Sequence, residues 1–412
     1  MKYFINDKLA LSRPPEGPVA GHIISFAEWL VGRGYGLVSL RNQVLMADGF
    51  SRWLQQKGVG LSDVGAEDPE RYLLDRARDR RPKLGDSAAL RHLLDFLRSR
   101  NAVPEETKAE HFPTPIEQRL ADYERFLQDA RALSHQTIIN YRPVVRDFLR
   151  YRFGDGEIVL AHLRAIDVTN FVQKTVSRLN LRRAKITTTA LRSFLAYARY
   201  RGDIASDLAA AVPVVANWSL SSIPRAIGRD AVTRLLASID RDTAVGCRDY
   251  AMILALARLG LRSSEVVLLE LDDIDWVVGQ IRVRGKNGQR HDLPLPMDVG
   301  EAIADYLQKW RPRNGSRRVF LRDKAPIRGF KGPSGLGCVI RRSLKRAGID
   351  APTTGTHQFR HGLASEMLRG GASLGEIGEV LGHRHVQTTV IYAKVDLNAL
   401  RTLALPWPGE VQ

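Results

Sequence analysis

At 412 residues the chain exceeds one ordinary domain, and at about 150 residues per domain two or three compact units are expected. An apolar content of 44% suits globular folding; no apolar run approaches the roughly 18 residues of a membrane span and the first residues lack a secretion signal, so a cytoplasmic protein is expected. Lys and Arg number 62 against 45 Asp and Glu, a net +17 that points to a polyanionic partner, while the two cysteines, Cys247 and Cys338, match neither a disulfide framework nor a metal knuckle.

The first 200 residues read as one helical unit written twice. FAEWL at Phe26–Leu30 matches YERFL at Tyr123–Leu127, and GFSRWL at Gly49–Leu54 is echoed by DFLRY at Asp147–Tyr151. LRHLLDFLRSR at Leu90–Arg100 parallels LRSFLAYARYR at Leu191–Arg201, so the offset runs from 97 to 101 residues. Apolar residues fall at helical spacing in both copies: Trp29, Leu30 and Leu45, then Phe126, Leu127 and Val145. An additional helical domain over 1–105 and a second helical domain over 114–205 are therefore predicted, joined through the charged, proline-containing stretch Asn101–Pro115.

Residues 178–202 hold seven basic and no acidic side chains, which suits phosphate contact by Arg182, Arg183, Lys185, Arg192 and Arg199. The run RARDRRPK at Arg76–Lys83 favours DNA only weakly, and the front domain could instead hold protomers together. A linker with Pro213 and Pro224 covers 206–228. From 229 to 412 the pattern is mixed. One helix carries Ile253, Leu254, Leu256 and Ala257 and ends near Gly260; a second begins at Ser263 or Ser264, whose hydroxyl is positioned to cap it. QIRVRGKNGQRHDLPLP then alternates around Asn287-Gly288 as a β-hairpin, after which helices resume. Between 315 and 346, ten basic residues face the single acid Asp323, and Arg341 and Arg342 are candidate phosphate contacts. The predicted fold is mainly α with a small antiparallel β-sheet in the last domain, an α+β chain.

The densest chemistry lies near the end, where His357, His361, His383 and His385 fall within 29 residues. His357 and His361 have the i,i+4 spacing of zinc hydrolases, but Gln358 stands where those enzymes carry a glutamate and no acid cluster accompanies the histidines, so no metal site is predicted. The competing reading pairs His357 with Arg360 at i,i+3, which brings an imidazole and a guanidinium to one face. Gly382-His383 follows an apolar helix, Tyr392 closes TTVIY nine residues after His383, Arg262 stands between two helices, and Lys286 stands at the hairpin tip.

An Arg, a Lys, a His-x-x-Arg, a Gly-His and a Tyr in this order resemble the tyrosine recombinase (phage integrase) family, over roughly residues 229–400, with 114–205 similar to that family's SAM-like core-binding domain. The resemblance implies that Tyr392 attacks a scissile phosphate, that Arg262, Arg360 and His383 stabilise the charge that develops, that His357 is the base and that Lys286 is the acid. Arg284 and Arg290 could share the role of Lys286, and Glu265 is the residue that orients Arg262. It further implies a C-shaped clamp on double-stranded DNA at a specific recombination site, a bacterial nucleoid-associated setting, a tetramer on two sites, a 3′-phosphotyrosine and a Holliday junction. No cofactor is needed, since the phosphotyrosine conserves the energy of the broken bond. Partner recombinases in the synapse, and membership among transposase-like recombinases of mobile elements, stay open. So do type IB topoisomerase-like relaxation and a catalytically silent sequence-specific DNA-binding protein. The tail with Leu397, Leu400, Leu403 and Leu405 suits either docking on a neighbouring protomer or packing on its own domain.

Overall fold

The computed structural model describes residues 3–6, 9–105, 113–154, 156–215, 223–285, 290–383 and 385–395. Lys286, the Asn287-Gly288 turn and the tail leucines lie outside the described residues. The chain forms two compact units, one of residues 108–221 and one that joins 1–107 to 222–412.

The front segment opens with an antiparallel pair, β1 (Tyr3–Asn6) and β2 (Leu9–Leu11), followed by α1 (Ile23–Gly32), α2 (Leu37–Lys57), α3 (Asp68–Asp79) and α4 (Asp86–Ser99). The strand pair is an addition to the helical domain that the sequence predicts: Leu9-Ala10-Leu11 is too short to show a period, yet Leu9 and Leu11 are buried with Phe26, Phe50 and Phe96. The 108–221 unit holds α5 (Pro115–Asp129), α6 (His135–Phe153), α7 (Ala165–Val176) and α8 (Leu181–Tyr200) around Tyr123, Phe148, Phe171 and Phe194. Thr114, Ser134 and Asn180 cap α5, α6 and α8 by accepting a backbone N–H three residues on. Both segments run helix, helix, 3-10 turn, helix, helix, and their turns begin at Leu61 and Leu160.

Residues 222–412 contain α9 (Arg229–Ala237), α10 (Ala244–Leu259), α11 (Ser263–Leu268), β3 (Ile274–Asp275), β4 (Gln280–Arg284), β5 (Arg290–Pro294), α12 (Met297–Asp305), α13 (Ser334–Arg346), α14 (His357–Arg369) and α15 (Leu374–Val380). The chain is thus mainly helical, and this segment carries one three-stranded antiparallel sheet of order β3-β4-β5. The predicted hairpin pairs in register from Gln280↔Pro294 to Arg284↔Arg290. Helix α10 is buried on nearly every side, from Ala251 through Leu256, because α12 and α14 pack against it. Inside this core Arg248 donates to Asp249 at 2.6 Å and to the Leu321 carbonyl at 2.9 Å, tying α10 to the segment before α13.

Helix α10 ends at Gly260, in the left-handed region at φ 59°, as the sequence predicts. The cap of α11 differs from the expectation. Arg262 is the cap residue, and its backbone N–H donates to Glu265 rather than leaving the task to a serine hydroxyl. Ser263 Oγ instead shares a hydrogen bond of 2.6 Å with Thr356 Oγ1. A carboxylate at the third helical position both caps the helix and reaches the Arg262 side chain, which serine cannot do.

Two glycines in neighbouring helices should respond in opposite senses. A Cβ at Gly246 would overlap the Asp240 carbonyl, so Gly246→Ala should destabilise by about 1–3 kcal/mol. At Gly300, inside α12, the nearest atom to an added Cβ is Leu295 Cδ2 at 3.5 Å, so Gly300→Ala should stabilise by about 0.5–1 kcal/mol. Urea unfolding midpoints check both signs.

Candidate active site

Three chain segments converge through Arg360, on the first turns of α14. The residue is 5% exposed; its Nη1 donates to the Gly260 carbonyl at 2.8 Å and its Nη2 to the Leu381 carbonyl. These carbonyls close α10 and α15, and each helix end hands its chain to a site residue: Arg262 two residues after Gly260, and His383 two residues after Leu381. Helix termini leave carbonyls without intrahelical donors, so a buried guanidinium there satisfies the backbone while fixing both exits.

Arg262 is held by Glu265, whose Oε1 accepts from Nη1 at 2.7 Å and whose Oε2 accepts the Arg262 backbone N–H at 2.7 Å. Glu265 is buried, while the Arg262 side chain keeps 28% of its surface. His383 Nδ1 shares a hydrogen bond of 2.7 Å with Thr389 Oγ1, which selects its ring orientation. Tyr392 sits in a 3-10 turn spanning Val390–Val395, 2% exposed, packed with Ala364, Ile377 and Leu381. Its hydroxyl shares a hydrogen bond of 3.0 Å with His361 Nδ1.

The charges are arranged for an anion. Burial lowers Arg360 to about 10, and Arg262 pushes the same way, yet the group remains cationic at neutral pH. Burial first, then Arg360 and Arg262, pull His383 down to about 4. His361 is lowered by burial and by His357 and Arg360, and the Tyr392 phenol is raised by burial against the opposing pull of Arg360. Two guanidiniums thus stand among imidazoles that stay neutral, and an acceptor with negative charge matches every exposed donor.

Of the sequence-predicted set, Arg262, His383 and Tyr392 each share an electrostatic interaction with Arg360. His357 is exposed at the first position of α14, its ring 6.4 Å from that of His361. Among the described residues no group of three or more His, Cys, Asp or Glu is arranged to hold a metal ion. Lys286 lies outside the described residues, and Arg284 is tied to Glu270 at 2.8 Å and Asp273 at 3.1 Å. Arg290 is exposed. Two histidines were given no role by the sequence pattern. His361 is the partner of the Tyr392 hydroxyl, and His291 on β5 lies against Gly382, within the fields of Arg262 and Arg360.

The candidate phosphate contacts divide. Arg182 and Arg183 are exposed at the start of α8 with Lys185 partly covered. Arg192 donates to the Val212 carbonyl at 3.1 Å and Arg199 pairs with Asp207 at 3.0 Å, so these two are partly committed to structure. Arg341 and Arg342 are exposed on α13.

Comparison with known proteins follows this geometry. The phage integrase family matches residues 225–398, and the N-terminal SAM-like domain of phage integrases matches residues 120–202. A putative integrase/recombinase, y4rA, of Sinorhizobium fredii is 80% identical over 412 residues, covering 100% of both chains. Tyrosine recombinase XerD of Listeria monocytogenes is 30% identical over 284 residues, 67% of this chain and 93% of that protein. The solved structure of XerH site-specific recombinase bound to its palindromic difH substrate is similar in fold, with TM-score 0.55 and 18% identity over 72% of this chain and 98% of that one.

The depressed His383 value carries a sign. An unfolded imidazole binds its proton near pH 6.5 and the folded one only near 4, so the unfolded state holds more protons between these values. Stability should therefore fall as pH drops from about 6.5 toward 4. His383→Gln should lose less stability than wild type over that window, measured by thermal unfolding at pH 7 and 5. Equal losses in the two proteins would refute the buried neutral imidazole.

Proposed function

Because the chain belongs to the phage integrase family of tyrosine recombinases, we propose that it cuts and rejoins double-stranded DNA at a specific recombination site through a covalent bond between Tyr392 and a 3′ phosphate. The observation that carries this reading is the meeting of two guanidiniums, neutral imidazoles and a tyrosine hydroxyl at one group of chain ends.

A phosphate is the anion whose oxygens this set of donors matches. Arg262 and Arg360 offer planar donors to its non-bridging oxygens, and His383 adds an N–H, so charge that grows in the pentacoordinate transition state meets fixed dipoles and cations. The Tyr392 oxygen bonds to phosphorus as the bond to the 5′ oxygen breaks. Lys286 delivers a proton to that leaving oxygen. In the buried seat the hydroxyl proton is shared with His361 Nδ1. A hydroxyl 2% exposed cannot touch a DNA backbone, so Tyr392 leaves this seat to react, and His357, exposed one turn before His361, is the base that meets it outside. The phosphotyrosine retains the energy of the broken bond, and a 5′ hydroxyl from a second strand attacks it to reseal without ATP.

Exchange between two duplexes requires cleavage on both, which a tetramer on two sites achieves by cutting in pairs through a Holliday junction, alone or with partner recombinases. Arg182, Arg183 and Lys185 on one unit and Arg341 and Arg342 on the other supply sequence-independent phosphate contacts. The run of two helices, a 3-10 turn and two helices common to the front segment and to 108–221 supports a second DNA contact by residues 1–105, in the manner of a transposase-like recombinase of a mobile element.

The test incubates protein with a pool of nicked duplexes of randomised sequence and captures adducts that survive detergent. Wild type should yield adducts of recurrent sequence with or without EDTA, since the arginines carry the charge. Tyr392→Phe should bind the recovered site within about threefold yet form none, and Arg262→Lys should slow cleavage about 100-fold or more, as loss of one aligned donor pair does. A cleaving Tyr392→Phe protein would remove the central assignment.

A further inference from the structure

His291 occupies an odd place for a polar side chain. On β5 it pairs with Val283, and two residues on Leu293 pairs with Ile281. Side chains alternate across a strand, so His291 shares the inward face with Leu293, which is buried, while Arg290 and Asp292 point the other way and are exposed. An apolar residue would suit that position. A half-buried imidazole normally finds a hydrogen-bond partner, yet among the described residues neither ring nitrogen of His291 has one. Its ring instead lies flush against Gly382: a Cβ there would stand 3.0 Å from Cε1 and 3.2 Å from Nε2. Gly382 immediately precedes His383, and Glu265, Arg262 and Arg360 all act on the His291 ring.

Resting on the recombinase reading above, we infer that His291 is a further phosphate-contacting residue, whose ring N–H donates to a non-bridging oxygen of the scissile phosphate beside Arg262 and Arg360. The ring is seated on Gly382, so the donor is fixed relative to His383. Burial and the two arginines keep it uncharged, which leaves one N–H to donate and one nitrogen to accept. Among the described residues the only other groups acting on it are carboxylates: Glu265, already engaged by Arg262, and Asp292, which pairs with Arg282 at 2.9 Å on the opposite face. The acceptor that completes His291 is therefore one that arrives with the substrate.

Two variants separate a donor from a spacer. His291→Phe preserves a flat ring on Gly382 without an N–H, and His291→Gln preserves an N–H without the ring. On a nicked site recovered from the randomised pool, His291→Phe should bind within about threefold of wild type while its rate of adduct formation falls about 10- to 100-fold, as removal of one transition-state donor does. His291→Gln should recover most of that loss. Phe cleaving at the wild-type rate, or Phe and Gln equally slow at wild-type affinity, overturns the inference and leaves the recombinase reading intact. If His291→Phe lowers the unfolding midpoint, the comparison passes to His291→Asn and His291→Leu, near-equal in size, of which only Asn donates; equal rates in that pair overturn it too. Absence of adduct from wild type would sink the family chemistry and this inference together.

Discussion

The site depends on one buried guanidinium spanning two helix ends. Arg360 gives one nitrogen to the Gly260 carbonyl and another to that of Leu381, and without it both carbonyls would be left at the negative ends of α10 and α15 with no donor. An unmet buried carbonyl costs about 1–3 kcal/mol, so folding alone selects for a residue with several rigid donors here. Lysine would carry the charge but not the fork. The consequence for chemistry is that the exits bearing Arg262 and His383 are set by the same bonds that complete the fold. Gly260 lets this happen: the chain turns in the left-handed region while Leu363 and Leu381 close over it.

A second constraint follows from holding Arg360 and Arg262 together. Arg262 opposes the charge on Arg360, both oppose protonation of His383, and Arg360 opposes that of His361, so the site concentrates positive charge that Glu265 only partly offsets. A phosphate oxygen relieves it. For the proposed reaction this preorganises the donors, which stand in place before charge develops.

What the sequence made legible were features with local causes. Gly260 and Gly382 ending helices, the β4–β5 pairing and the i,i+3 relation of His357 to Arg360 all follow from short-range rules. The Tyr392–His361 bond spans 31 residues of sequence and depends on how α15 folds back on α14, which no periodicity encodes. Period-two reading could have placed His291 inward with Leu293, but its neighbour Gly382 is known only once the sheet meets the turn after α15. The α11 cap was misassigned because a serine at the start of a helix is a common signal, whereas the carboxylate of Glu265 serves two partners at once. Basic clustering named Arg192 and Arg199 as candidate contacts, but charge runs do not reveal the Val212 carbonyl or Asp207 that engage them.

Tyr392, the proposed nucleophile, sits outside the large core of its segment, and this has an energetic consequence. Tyr392 belongs to a small apolar cluster with Ala364, Ile377 and Leu381, separate from the large core built on α10 and α12. Its cluster shares no buried residue with that core. The cost is the transfer of one aromatic ring, about 1.5–3 kcal/mol, plus one hydrogen bond of about 1 kcal/mol to His361. At about 2.5–4 kcal/mol the exposed form would be populated at roughly 0.1–1.5% before DNA arrives. A phosphate that satisfies Arg262 and Arg360 can repay such an amount through a few charge-assisted bonds at about 1.5–3 kcal/mol each, whereas a nucleophile anchored in the main core would lie beyond their reach.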